Sequence, residues 1–150
     1  MARTFDLNNL EITYLGHSSF KIKRLESEVY SLDFVIYIDP YNLKFGEKAD
    51  LILITHGHHD HKDPASIELI SKEKTEIIIG GENIREDEEK IINDIKIKAM
   101  PAYNLTKPFH LRGKGCGFIL EIDGKRLYHA GDSANQSQER SDMRYRSENR

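Results

Sequence analysis

Four apolar residues in succession, Leu51-Ile52-Leu53-Ile54, run without a break into Thr55-His56-Gly57-His58-His59-Asp60-His61. A stretch that is apolar at every position is the pattern of a strand covered on both faces. The histidines therefore begin where a buried strand ends. Backbone dihedrals in a loop differ from residue to residue, so His56 and His58 can turn their imidazoles toward one ion while Asp60 and His61 turn toward a neighbour. Imidazole and carboxylate together suit Zn²⁺, Mn²⁺ or Fe²⁺ better than Ca²⁺, which prefers oxygen ligands. A His-rich tract with incidental metal affinity, of the expression-tag kind, sits at a terminus; this one lies inside the chain.

The flanking sequence frames that loop. Glu11-Ile-Thr-Tyr-Leu15 alternates polar and apolar, Gly16-His17-Ser18 interrupts, and Phe20-Lys21-Ile22 resumes, which reads as two strands joined by a polar turn. Val35-Ile36-Tyr37-Ile38 is β-branched and aromatic and stops at Asp39-Pro40, where a loop should start. Asp63-Pro64 has the form of a helix N-cap followed by proline in the first helical position, with Ile67, Leu69 and Ile70 as the apolar face. Glu76-Ile77-Ile78-Ile79 reads as another buried strand, Gly80-Gly81 as a break, and the charged stretch through Glu89 as an exposed helix or loop. Ile95-Lys96-Ile97-Lys98 alternates. Phe118–Ile122 and Arg126–Tyr128 flank Asp123-Gly124, a type I′ hairpin signal. Strands interleaved with helices give an α/β (α+β) class.

A chain of 150 residues has room for one domain with a hydrophobic core. The net charge of −3 gives no basic excess to draw it to nucleic acid or an anionic membrane. No apolar run approaches the roughly 20 residues that span a bilayer. Cys116, the single cysteine, has no intrachain partner, and the N-terminus lacks a signal stretch, so the cytoplasm is the expected compartment. From Ser133 to Arg150 there is no Ile, Leu, Val or Phe, too little apolar surface to offset the entropy of ordering. Basic usage shifts there too: every lysine precedes Ser133, whereas Arg140, Arg144, Arg146 and Arg150 follow it. Residues 1–132 are expected to form the domain, and 133–150 a disordered or aberrant tail.

Tyr14-Leu-Gly-His-Ser-Ser-Phe20, Ile38-Asp39-Pro40, Ile54-Thr55-His56 to His61, Pro101-Ala102-Tyr103 and Tyr128-His-Ala-Gly-Asp132 occur in the order and approximate spacing of the metallo-β-lactamase superfamily, which the chain resembles from about residue 10 to Asp132. Within it, the L-ascorbate-6-phosphate lactonase-like hydrolases look most similar. The resemblance implies an αββα sandwich with two divalent metal ions at one edge of its sheets, zinc first among the candidates and manganese or iron next. It implies His56 and His58 on the first metal, Asp60 and His61 on the second, and Asp132 bridging them. Relatives often end the Pro-Ala-aromatic motif with histidine where this chain has Asn104, so His110 is taken as the first metal's third ligand. Asp39 is expected to brace the His-bearing loop, and His17 to face the substrate or stand behind the ligands. His59 and His129 are excluded as ligands, and Cys116 is read as a small packed residue.

Such a site would hydrolyse a small-molecule ester, lactone or phosphoester with a water acidified by the two ions, and Asp60 as the group that orients that water or relays its proton. Full-length relatives carry a further metal-binding histidine in a C-terminal half, whereas this chain has no histidine after His129. The chain is accordingly expected to be the N-terminal portion of the sandwich, truncated or frame-shifted, with an inactive metal-binding fragment or pseudoenzyme as the alternative. A nuclease of the same superfamily stands third, because the acidic balance argues against it.

Overall fold

A computed structural model describes residues 3–57, 61–101 and 115–131, together with the backbone of 143–146. The chain forms two compact units, Met1–Ile54 with His58–Ile78, and Thr55–Gly57 with Ile79–Arg150.

The first unit is built on a sheet of six strands in chain order: β1 (Arg3–Leu7), β2 (Leu10–Gly16), β3 (Ser19–Arg24), β4 (Phe34–Ile38), β5 (Leu51–Ile54) and β6 (Glu76–Ile79). The strands β1 to β4 pair antiparallel, and β5 joins β4 in parallel. Every residue of β4 and β5 is buried, in keeping with their unbroken apolar sequence. The strand β6 departs from the sequence expectation: of its four residues only Ile78 is buried, because β6 closes the edge of the sheet rather than running through its middle. The strand β1, mostly exposed, was not marked by the sequence pattern; it is held by its register on β2, Arg3 opposite Tyr14 through Leu7 opposite Leu10.

Parallel pairing has a positional consequence. Neighbouring parallel strands deliver their C-terminal ends to the same edge of a sheet, where ligand sites of α/β folds gather. Asp39, which follows β4, and the C-terminal end of β5 therefore emerge side by side, and the Asp39 amide donates to Leu53 O at 2.8 Å. The turn between β2 and β3 reaches the same edge, since Phe20 near the start of β3 lies opposite Ile38 at the end of β4.

Helix α1 (Pro64–Ile70) starts as the sequence predicts, with Asp63 at the cap and proline following. The Asp63 carboxylate accepts the Asn42 amide at 2.8 Å and the Ser66 hydroxyl at 2.7 Å, and the Asn42 bond is the main reason its pKa is lowered. One side chain thus ties the helix to the β4–β5 connection. That connection is anchored again by Tyr37, whose buried hydroxyl donates to Glu47 O at 2.9 Å.

The second unit carries an antiparallel sheet of five strands in the order β11-β10-β9-β8-β7: β7 (Glu89–Ile92), β8 (Ile95–Pro101), β9 (Cys116–Ile122), β10 (Lys125–His129) and β11 (Met143–Arg146). The Asp123-Gly124 turn has positive φ at both central residues, 51° and 77°, the geometry of the type I′ hairpin read from the sequence. Asn93-Asp94, with φ of 48° and 66°, makes a second such turn between β7 and β8. Residues 82–88 form turns and not a helix. Local side-chain bonds compete for the backbone there: Asn83 Oδ1 accepts the Ile79 amide at 2.5 Å and Glu88 Oε1 accepts the Arg85 amide at 2.6 Å. Among the described residues α1 is the one helix, and no helix there is long and apolar enough to cross a membrane.

Within residues 133–150 the described part is the backbone of β11. Met143–Arg146 pairs antiparallel with β10, from Arg126 opposite Arg146 to His129 opposite Met143. An open sheet edge offers a ladder of backbone hydrogen bonds that needs no apolar side chains, which an argument from missing Ile, Leu, Val and Phe does not register.

Candidate metal centre

Among the residues singled out by sequence, Asp39 and His61 come together directly. Asp39 has φ +48°, is wholly buried, and its Oδ2 lies 2.5 Å from Nδ1 of the buried His61. A carboxylate only accepts hydrogen bonds, so Nδ1 of His61 carries the proton and Nε2 keeps its lone pair. A carboxylate behind a histidine is the arrangement that fixes ring orientation and tautomer in metal sites. Proline at position 40 and the positive φ of Asp39 turn the chain sharply after β4 and point this carboxylate back toward the helix-side loop.

His56 lies in the second unit. Its Nδ1 is 2.9 Å from Thr55 Oγ1, which again leaves Nε2 as the ring nitrogen suited to a ligand. Its backbone bridges Gly115, and the Cys116 amide donates to Thr55 O at 2.9 Å. A methyl group built on Gly115 would stand 2.5 Å from His56 Cβ and 2.7 Å from Thr55 O, so a residue without a side chain is required there. Sequence reasoning missed this contact; the Gly115-Cys116-Gly117 run was the available signal.

His17 is exposed on the β2–β3 turn with φ +51°, and its ring meets that of Tyr41 edge-on at 4.7 Å between centroids. Tyr41 follows Asp39 by two residues, so His17 borders the edge where Asp39 and His61 meet. His129 is buried, and its Nδ1 accepts the Gly131 amide at 3.1 Å. Cys116 is buried and has no disulfide.

His58, Asp60, His110, Asn104 and Asp132 lie outside the described residues. Within the described residues no three His, Cys, Asp or Glu side chains converge on one point. The donor chemistry fits divalent transition metals, with two imidazoles whose Nδ1 atoms are both engaged by oxygen.

Residues 11–145 match the family model described as the beta-lactamase superfamily domain, a match that runs past Asp132 into the tail. The chain belongs to this superfamily and has the metallo-β-lactamase fold. The crystal structure of a metal-dependent hydrolase from Parabacteroides distasonis is similar, with a TM-score of 0.75 and 32% identity over 89% of this chain and 66% of that one. Metal-dependent hydrolases from Thermococcus kodakarensis and Pelotomaculum thermopropionicum are 31% and 28% identical, each over 83% of this chain. The chain spans 62% of the length of these two relatives.

Proposed function

We propose that this chain is the ligand-bearing part of a metal-dependent hydrolase that acts on a small ester, lactone or phosphoester, as in the L-ascorbate-6-phosphate lactonase-like branch. The observation that carries the reading is the buried Asp39–His61 hydrogen bond, which presents His61 Nε2 from the His-x-His-x-Asp-His loop. His56, His58 and His110 would hold one divalent ion, Asp60 and His61 a second, and Asp132 would bridge them. Two such ions, zinc or else manganese or iron, supply Lewis acidity and lower the pKa of water toward about 7.

The chain's own residues have distinct tasks around that centre. Asp60 would orient the attacking water and take up or return its proton. Asp39 holds the His61 ring by its Nδ1, and Thr55 does the same for His56. His17, whose ring packs against Tyr41, would meet the substrate. A small-molecule substrate is favoured over RNA or DNA by the net charge of −3, which offers no electrostatic footprint for a polyanion.

The test is metal content by mass spectrometry on chain purified with its native metals, alongside size exclusion and turnover of phosphodiester and lactone substrates. Close to two metals per compact chain, with turnover abolished by chelation, is expected. A compact chain that binds two metals without turnover would make it a non-catalytic metal-binding member. A compact chain that binds none would refute the reading.

A further inference from the structure

The first sheet ends at β1, and the hairpin that forms this strand fixes what its outer side presents. Leu7 lies opposite Leu10 across the loop Asn8-Asn9, and a two-residue loop closes on a pair that exchanges its backbone hydrogen bonds. Hydrogen-bonded and non-hydrogen-bonded pairs alternate from there, so Leu7, Phe5 and Arg3 direct their amides and carbonyls to β2. Thr4 and Asp6 turn theirs the other way, along the open edge.

Side chains alternate between the two faces as well. Phe5 shares a face with Ile12 opposite it and with Leu7 and Leu10; Ile12 and Leu10 are fully buried, whereas Phe5 is 47% exposed. The apolar face of the sheet thus runs out to its edge and stops there with an aromatic ring half in water. On the other face the Thr4 and Thr13 hydroxyls are 2.9 Å apart, and Asp6 stands opposite Glu11, a like charge. Edge strands that avoid pairing are commonly guarded by lysine, proline or a bulge. The strand β1 has none of these: it reads Arg-Thr-Phe-Asp-Leu, and its register on β2 is unbroken from Arg3 to Leu7.

We propose that β1 is the pairing edge for a second copy of this chain, joined antiparallel about a two-fold axis at Phe5. Such an axis, perpendicular to the sheet, keeps each residue on its own face and passes where a residue opposes itself. With Phe5 opposite the partner's Phe5, the whole strand is matched: Arg3 faces the partner's Leu7, and Thr4 faces the partner's Asp6. The outward backbone groups of Thr4 and Asp6 then meet their counterparts, and each Thr4–Asp6 pair exchanges its N–H···O bonds. The phenyl rings fall at the non-hydrogen-bonded position, where opposed side chains stand closest. The edges also fit in charge. Arg3 and Asp6 balance within each strand, no like charges are opposed across the axis, and Asp6 gains a hydroxyl donor: with Thr13 donating to Thr4, the Thr4 proton is available to the partner's carboxylate. A contact confined to strands this short falls at the low end of interface sizes, below roughly 1,200 Å², so the dimer is expected to exchange with monomer at micromolar concentrations.

Sedimentation velocity of the full chain from about 5 to about 500 μM, a span suited to a small interface, tests this. The parent's average mass is expected to climb toward that of a dimer. Thr4→Pro removes an outward N–H that β2 does not use, a change edge strands accept, so it should melt close to the parent and associate at least tenfold more weakly. Phe5→Glu and Phe5→Lys should each stay monomeric, because the axis sets like charges face to face, and an equimolar mixture of the two should dimerise. A parent that is monomeric throughout would overturn the proposal, as would a Thr4→Pro protein that associates like the parent. So would a mixture of Phe5→Glu and Phe5→Lys no more associated than its components, since rescue by opposite charges requires that position 5 meet its own copy.

Discussion

Asp39→Ala is expected to lose metal and to melt earlier than the parent. The substitution removes the acceptor for His61 Nδ1 at a position where both side chains are buried, and a buried donor deprived of its acceptor costs about 1–3 kcal/mol. It also puts alanine at φ +48°, which aspartate tolerates better, for roughly 1 kcal/mol more. For a chain of this size each kcal/mol corresponds to about 2–4 °C, so the melting temperature should fall by roughly 5–15 °C. Asp39→Asn separates stability from function. Asparagine keeps the shape, an acceptor oxygen and the left-handed backbone, so most of the stability should survive. The loss of negative charge behind His61 should still weaken metal binding by about 10- to 100-fold. Differential scanning calorimetry of the metal-free proteins and metal titration of the same samples check both halves. An Asp39→Asn protein with undiminished metal affinity would show that the charge on Asp39 is not needed to activate His61.

Gly115→Ala should be the second severe change, for a steric reason. The added methyl would meet His56 Cβ at 2.5 Å and Thr55 O at 2.7 Å, neither of which can swing away as a long side chain would. Overpacking of this kind costs typically about 1–3 kcal/mol. Here the backbone that must move also carries His56, so metal affinity should fall with stability. Gly57→Ala is the contrast within the same loop. A methyl there meets nothing within 4 Å among the described residues, and its stability should stay within about 0.5 kcal/mol of the parent. Urea denaturation of the two variants side by side distinguishes close packing at Gly115 from a general intolerance of substitution near the histidines.

Local signals carried much of this structure. The continuous apolar runs at 35–38 and 51–54 became the fully buried β4 and β5, and Asp123-Gly124 turned with positive φ at both positions because few other dipeptides allow it. Asp63-Pro64 opened the helix as its chemistry requires. What escaped were features set by partners distant in sequence. The edge strands β1 and β11 exist through the ladders of β2 and β10, and nothing in their own composition demands them. The segment Glu76–Ile79 reads as apolar as β5, yet a sequence does not reveal which strand will lie at the edge. For the candidate centre, the His-rich loop and Asp39 could be singled out because their residue types are chemically specific, and the Asp39–His61 hydrogen bond is what the structure adds. The contacts of Gly115 with His56 and Thr55 arise only when β8, β9 and β10 bring their ends to one edge of the second sheet, Pro101 opposite Cys116 and Phe118 opposite His129.

The hydroxyl that Tyr37 gives to Glu47 O also equips the protein with an optical gauge. Burial is the main cause that pushes the Tyr37 pKa from 10.0 up to about 12. A phenol harder to ionise when folded contributes stability that is intact below pH 10 and fades as the pH climbs toward 12. The phenolate absorbs near-ultraviolet light that the phenol does not, so alkaline titration sorts the tyrosines by access to base, and Tyr37 should ionise late. Its absorbance step is expected to report loss of the hydrogen bond to Glu47 O. Loosening of the Tyr37–Glu47 contact can thus be followed with an unlabelled sample in an ordinary cuvette.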